Sequence, residues 1–464
     1  MAQVQYAGQY EIETCQLITS SGNTLNLIGS LVEINIFEDI YSSALKGSII
    51  CADTNNIISK AQVLGQDYIR LKIRTPGFDD EVFDFTENVF CVYKIGSQGK
   101  ASENAEIFEL SFVSPEALKN QRITISKSFV GSPSQIFESI MRDDTMMASK
   151  KELFIERAKG NKKHVVPNIR PFQFIKQLMN DAISLNDDNP IYLFYENTKG
   201  YHFRSIASLY NEDTRQDFNI GSPGEFIDAG SKLKDIEKEY RTVHQHQVNN
   251  GNDMFKNIVS GLLASKLKEV DIFNKEVRTK EYKYLEDFDK HVRIENDKSK
   301  DNPIYVEQEI DDEGNLVDSF TDARISVHPV QNFNEGDPIH YNTETKDYTY
   351  TVSGIKDTLQ HRFAKIIELS STLSMTMKTN GHTALSCGDT INFTKPDAKN
   401  KEGGYIDELM TGKYLITQLR HCFSIITQRH EAYLNVSKDS HPSAKENEYS
   451  IVEPKSSPKG IHKF

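Results

Sequence analysis

The chain has no Trp and only 5 Cys in 464 residues. Those cysteines (Cys15, Cys51, Cys91, Cys387 and Cys422) are odd in number, scattered, and never form a C-x-x-C pair. Most lie inside strand-like runs, so they read as buried reduced thiols; neither a disulfide framework nor a zinc site organises the fold. Long apolar runs are missing as well: no stretch reaches the ~18 consecutive apolar residues of a membrane helix, so no membrane insertion is expected. The N-terminus, MAQVQYAGQYEIET, carries no basic region followed by an apolar one and is not a secretory signal. The chain is therefore expected to stay in the cytoplasm where it is made, leaving only within a larger particle. Positive charge is in deficit, with 54 Lys plus Arg against 67 Asp plus Glu, a net −13. That balance argues against stable nucleic-acid binding, which needs a basic patch to neutralise phosphates. It leaves room for DNA passing through a weakly negative channel without adhering. Catalytic signatures are also lacking: no G-x-S-x-G, Walker loop, H-E-x-x-H or Rossmann fingerprint occurs.

What is present is a succession of short strands. A chain of 464 residues exceeds the roughly 250–300 that one core organises, so at least two domains are expected. Residues 1–113 contain VQYAGQYEIETCQLIT, GSLVEINIFED, KGSIICAD, QDYIRLKIR, EVFDFTENVFCVYKI and AEIFELSFV, separated by turn residues such as Pro76-Gly77. This spacing predicts a small antiparallel barrel, with one helical turn in EDIYSSALKG. Beyond Ser114-Pro115 the pattern changes. Ser132-Pro133 reads as an N-cap and first helical residue, and Ile136, Phe137, Ile140 and Met141 follow at helical spacing. A second helix follows Arg170-Pro171, and two strands flank a turn at Lys199-Gly200. Residues 231–284 read as a strand (KDIEKEYRTVHQH), a helix striped from Met254 to Leu267, and a further strand. Asn380-Gly381 reads as a two-residue hairpin turn, and Gly412 opens a final hairpin, KYLITQLRHCF with HEAYLNVSKD.

These elements predict a β-rich α+β fold of two antiparallel barrels plus smaller α+β domains. The expected divisions are 1–117 for the first barrel, 118–215 for an α+β domain, and 216–284 with 369–440 for a second barrel split by an inserted 285–368. The pieces 41–53 and 257–271, each a helix-like start followed by a strand ending in Asp, hint at an internal repeat. Residues 441–464, with three prolines and no periodicity, read as a flexible tail.

No residue is assigned a catalytic, metal-binding or cofactor-binding role, no cofactor is expected, and interface residues stay unassigned. His244 and His246 share a strand face but lack a third ligand, so they read as a solvated or interfacial pair. Adjacent His421 and Cys422 point to opposite faces of a strand and cannot act as a nucleophile–base pair. His361-Arg362 precedes a helical stretch and reads as a cap or ion-pair partner. The acidic run Glu307–Glu313 lacks calcium-loop spacing and reads as a solvated loop. The 254–267 helix reads as cover for its own barrel, with a partner-binding face as the alternative. Paired carboxylates for glycan cleavage carry no local signature, so a cell-envelope glycan hydrolase stands as the rival from another class.

One resemblance goes further than these patterns. The blocks LVEINIFEDIYSSALKGSIICADTNNII (31–58), RPFQFIKQLMNDA with YLFYENTKGYHFRSI (170–206), NIVSGLLASKLKEVDIFNKEV (257–277) and HRFAKIIELSSTLSMTMKTNGHTALSCGDTIN (361–392) resemble the central baseplate hub proteins of contractile-tailed bacteriophages. So does the closing segment G-x-Y-x-I-T-x-L-x-H with its terminal K-D-S. That family is also related to the N-terminal half of type VI secretion spike proteins. The likeness runs from about residue 5 to 440; residues 285–345 and the tail match nothing in it. It implies two tail-tube-like barrels per chain, three chains in a ring, six similar faces for a six-fold tube and three-fold symmetry for a spike. The implied role is a structural, non-enzymatic virion protein of the tail baseplate, assembled in the host cytoplasm, that lets DNA through. Its implied partners are itself as a homotrimer, a trimeric spike, tail-tube or tube-initiator proteins and other baseplate proteins. A hub of a related contractile injection or secretion system is the alternative within that class.

Overall fold

A computed structural model of the chain describes residues 4–53, 63, 65–78, 81–96, 99–102, 105–220, 232–250, 253–271, 275–297, 303, 323–330, 338–342, 347–350, 360, 362, 364–369, 373–396 and 407–441. The expected tail and the Glu307–Glu313 run lie outside these residues, except for His441.

The first barrel contains β1 (Glu11–Ile18), β2 (Thr24–Asn26), β3 (Leu31–Asp39), β4 (Lys46–Asp53), β5 (Tyr68–Arg74), β6 (Phe83–Ile95), β7 (Gly99–Ser102) and β8 (Ala105–Val113). Its six main strands pair in the order β1-β5-β6-β8-β4-β3, every neighbour antiparallel. Period-two alternation turns Ile69, Leu71 and Ile73 inward together with Phe108, Leu110 and Phe112, so the sheet curls around one core. Tilted rings Phe85–Phe90 and Phe90–Phe112, at 4.5 and 4.6 Å, fill its centre. Gly47 is required there, since a Cβ would stand 2.2 Å from the Phe112 ring and 2.4 Å from the Asn35 carbonyl. The expected helical turn in 38–47 is a non-helical turn instead, closed by Ser42 N–H to the Asp39 carbonyl.

The α+β unit follows as α1 (Pro115–Arg122), β9 (Ile125–Gly131), α2 (Pro133–Arg142), β10 (Leu153–Ile155), β11 (Lys162–Ile169), α3 (Pro171–Asp181), β12 (Tyr192–Glu196), β13 (Tyr201–Ser205) and α4 (Ile206–Tyr210). Ser132 and Gln135 form a reciprocal capping box on α2, with Pro133 in the first turn, as the sequence predicts. Strand β12 is buried on both faces. Tyr192 and Phe194 face the unit's own aromatic core, while Leu193 and Tyr195 enter the core of the second barrel.

The second barrel is built from β14 (Thr214–Ile220), β15 (Thr242–Asn250), β21 (Leu373–Asn380), β22 (Thr390–Thr394), β23 (Gly412–Ser424) and β24 (Arg429–Lys438). These close into a ring, β14-β22-β23-β24-β21-β15, antiparallel except at β14, which runs parallel to both neighbours. Numbering the six strands of each barrel in its own chain order gives the same succession, 1-4-5-6-3-2. The two differ at their first strand. In the second barrel it is reversed and pairs with the second strand; in the first, β1 and β3 stay unpaired with one another.

Four expectations need correction. Residues 232–240 form helix α5 (Lys232–Tyr240), not a strand; Leu233, Ile236 and Tyr240 fall at helical spacing and Glu237 pairs with Arg241 at i,i+4. The 254–267 stripe is not one helix. Helix α6 (Met254–Ser260) stops at Gly261, which adopts φ +81°, and Leu267 belongs to β16 (Ala264–Asp271). Strands β16 and β17 (Glu276–Lys283) lie outside the second barrel; with β18 (Ile325–Val330) they form a separate sheet, followed by the hairpin β19 (Pro338–Asn342) and β20 (Asp347–Tyr350). The inserted material thus begins right after β15, and the topological counterpart of β4 is β21 rather than β16. Asn380-Gly381 is not a hairpin turn either, because β21 and β22 do not pair. Gly381 instead donates its N–H to the His430 carbonyl at 2.8 Å. Among the described residues, no helix is long and apolar enough to cross a membrane.

Candidate functional site: the seam between the barrels

The final hairpin is where the two barrels meet. One edge of β23 pairs with β22 through residues 412–415, then passes to β3 through residues 418–424. A bulge between Ile416 and Gln418 in its pairing with β24 accompanies the change of partner. Both barrels thereby join one continuous fourteen-stranded sheet. Phe423, carried on a strand of the second barrel, sits fully buried in the core of the first. Gly412 opens β23 at φ +139°, and a Cβ there would collide with Glu295 Oε1 at 2.0 Å.

Three imidazoles lie buried beside this seam. His421 Nδ1 and His430 Nε2 are 3.0 Å apart, so one donates and the other accepts, and at least one ring is neutral. Phe83 of the first barrel packs edge-on against His421 at 5.0 Å, and Phe78 stacks on His382 at 4.3 Å. Burial pushes His421 and His382 down to about 3, and His430 well below the usual histidine range. Cys422 lies on the opposite face, its partner across β24 being Glu431. The thiol is pushed up to about 11, first by burial and then by the neighbouring Glu33 and Glu431 carboxylates, and the His421 ring does not share its face.

Buried carboxylates tie the α+β unit to both barrels. Glu38, 2% exposed on β3, accepts from Thr198 N–H at 2.9 Å and from Cys387 N–H at 2.6 Å. One side chain of the first barrel thus holds a turn of the α+β unit and a loop of the second barrel. Burial raises it to about 7 in spite of those two donors. Glu196, at the end of β12, accepts from Leu45 N–H, Ser114 Oγ and Lys151 Nζ. Lys151 also reaches Glu116 at 2.8 Å; burial works to lower its pKa, but the two carboxylates hold it above the ordinary lysine value.

The terminal K-D-S of the resembling segment anchors a further network. Asp439 is fully buried, accepts from Ile294 N–H, and pairs with Lys365 and Arg293. Burial works against its charge, but Lys365 and Arg293 hold its carboxyl below the usual range. Arg293 Nη1 bonds both oxygens of Glu368 at 2.7 and 2.8 Å and stacks 3.6 Å over Phe288. Lys438 pairs with Glu295 at 3.0 Å. These charged groups find their partners within the chain.

The residues weighed earlier are not brought together. His244 and His246 lie exposed on β15. His361 lies outside the described residues, whereas Arg362 donates to the carbonyls of Met179, Pro190 and Tyr192, pinning the end of α3. Helix α6 does not serve as cover for a barrel: Phe255 is 84% and Val259 70% exposed. Sequence reasoning passed over Glu38, although a signal was there. Alternation from Ile34 and Ile36 puts position 38 inward and Phe37, 43% exposed, outward.

Comparison with known proteins rests on shape alone. No family model matches the sequence, and no curated protein does. Among solved structures, a tail protein from Neisseria meningitidis covers 93% of this chain and 97% of its own, at TM-score 0.50 and 9% identity. The 43 kDa tail protein of prophage MuSo2 from Shewanella oneidensis covers 94% of this chain and 100% of its own, also at 0.50 and 9%. A component of the type VI secretion system of E. coli overlaps less, at TM-score 0.40 and 9% identity over 94% of this chain and 79% of that chain. The chain is similar in fold, across almost its whole length, to phage tail proteins.

Proposed function

We propose that the protein is a structural component of a contractile tail baseplate: a homotrimeric hub that joins a six-fold tail tube to a three-fold spike. The observation that carries this reading is the shared strand succession of the two barrels, fused edge to edge through β3 and β23. A chain with two similar barrels contributes two similar faces, so a closed ring of three presents six on one side while keeping three-fold symmetry on the other. Interior ion pairs at the barrel junctions fit a part that must stay rigid while load passes through it. On this reading the partners are further copies of the chain, a trimeric spike, tube or tube-initiator proteins and neighbouring baseplate proteins, and the location is the virion. DNA passes through a ring whose lining is acidic or neutral; a continuous basic lining would contradict that.

Native mass measurement tests the proposal. The expected species is three times the 52.8 kDa chain, alone or once the spike is added. Release of muropeptides from purified peptidoglycan by the chain alone, with no trimer under either condition, would favour a cell-envelope hydrolase instead.

A further inference from the structure

We propose that a cavity between the first barrel and the α+β unit docks an extended acidic segment of a partner protein. The cavity, about 640 Å³, opens between the β3–β4 turn, α1 and the start of α3. Lys46, Arg170 and Lys176 line it, and none of the three has an ion pair or side-chain hydrogen bond among the described residues. Leaving three cations unmatched around one hollow is notable in a chain of net charge −13. They are joined by the N-terminus of the eleven-residue helix α3, where Arg170 takes the cap position without a side-chain cap bond. The N–H of Gln173, third in that helix, has no intrahelical acceptor.

Asn120 makes the cavity more than a helix end. It lies on the wall, is 7% exposed, and uses its Oδ1 to accept Phe172 N–H at 2.8 Å. That bond fixes the amide and leaves its NH₂ group without a partner among the described residues. A donor held in place on the same wall as Lys46, Arg170 and Lys176 is set to meet an anionic acceptor that enters the cavity. Among the described residues Asp39 is the one acid on the wall, and both its oxygens are engaged, by Tyr41 N–H and by Gln418 Nε2.

Spacing selects the ligand. Arg170 and Lys176 are six positions apart, ~9 Å along a helix, a separation that two anionic groups match better than one. An extended peptide advances ~3.3 Å per residue, so carboxylates two or three residues apart reach both cations. The ring of Tyr41, 42% exposed, offers an apolar surface to the side chain between them. A nucleic-acid strand has comparable charge spacing, but it meets the repulsion of the acidic chain as a whole.

The test uses the full chain and a fluorescein-labelled Glu-Ala-Glu-Ala-Glu-Ala peptide, read by anisotropy at low and high salt. Saturable, salt-sensitive binding is expected. The double reversal Arg170→Glu with Lys176→Glu should weaken it about tenfold or more, with unchanged thermal melting because neither side chain makes an internal bond. Asn120→Asp keeps the acceptor for Phe172 N–H and should also weaken binding. Reversing two remote lysines, Lys94→Glu with Lys268→Glu, should leave it unchanged. The proposal is overturned by absent saturation, by equal loss in the remote pair, or by displacement with inorganic phosphate at peptide-like concentration. Tighter binding of a single-stranded oligonucleotide with the same variant dependence would overturn it in favour of nucleic acid.

Discussion

The two barrels follow one strand succession but treat the link between their second and third strands differently. In the first barrel residues 40–45 make a short turn; in the second, residues 251–372 intervene between β15 and β21. The seam is also asymmetric. The second barrel closes on itself through β14 and β15, whereas the first leaves β3 free to accept β23. Strand order sets which hydrophobic faces meet, so it is preserved where a core must be enclosed. Loops carry no such demand, and there the barrels part company. The first barrel is completed by its sister: without Phe423 its core has a vacancy that its own strands do not fill.

The predictions probe that asymmetry. Replacing Phe423 with Ala should cost ~3–5 kcal/mol, the range for an emptied core aromatic. Hydrogen exchange should then quicken in β3 and β4 of the first barrel as well as in β24; acceleration confined to the second barrel would mean that the two are independent. Asp439→Asn should cost ~3 kcal/mol in denaturant unfolding, because Lys365 and Arg293 are left with an uncompensated buried charge. Its effect should stay with the second barrel and its immediate neighbours, since the network joins Asp439, just past β24, to the inserted Arg293 and Lys365 and, through Lys365, to the Tyr210 ring of α4.

Acid should act at the seam. His382, His421 and His430 have depressed values in the folded chain, so the unfolded chain binds more protons below its ordinary histidine pKa, near 6.5. Stability is therefore full above pH 6.5 and lost as the pH falls toward about 3, by ~1.4 kcal/mol per pH unit for each ring. Glu38, raised to about 7, opposes this between pH 4.5 and 7, where the folded chain holds the extra proton. Denaturation midpoints should fall gently from pH 6.5 to 4.5 and steeply below; a flat profile would contradict the buried neutral triad. The smallest effect is expected from Ser132→Ala, which removes the α2 cap at a cost of about 1 kcal/mol and should leave both barrels unaltered by circular dichroism.

Much of the first barrel was legible because its strands are short, alternate cleanly and end in turn residues. The capping box at Ser132 was equally readable. Legibility failed where one pattern served two structures. KLKDIEKEY alternates loosely enough for a strand, yet its charges pair at helical spacing. The Met254–Leu267 stripe continued through Gly261, whose left-handed backbone ends the helix. Asn380-Gly381 has the composition of a hairpin turn, but its glycine is there because a Cβ would stand 2.5 Å from the His430 ring. The buried ion pairs were hidden for another reason. Lys151 and Glu196, or Lys365 and Asp439, are distant in sequence, and only folding brings them together.

Electron microscopy of the purified oligomer tests the central claim most directly. Three chains arranged as six similar lobes around a central hole are the predicted result. A ring of three lobes, or an assembly in which the 11–113 and 214–438 barrels do not superimpose at their shared strands, would contradict it.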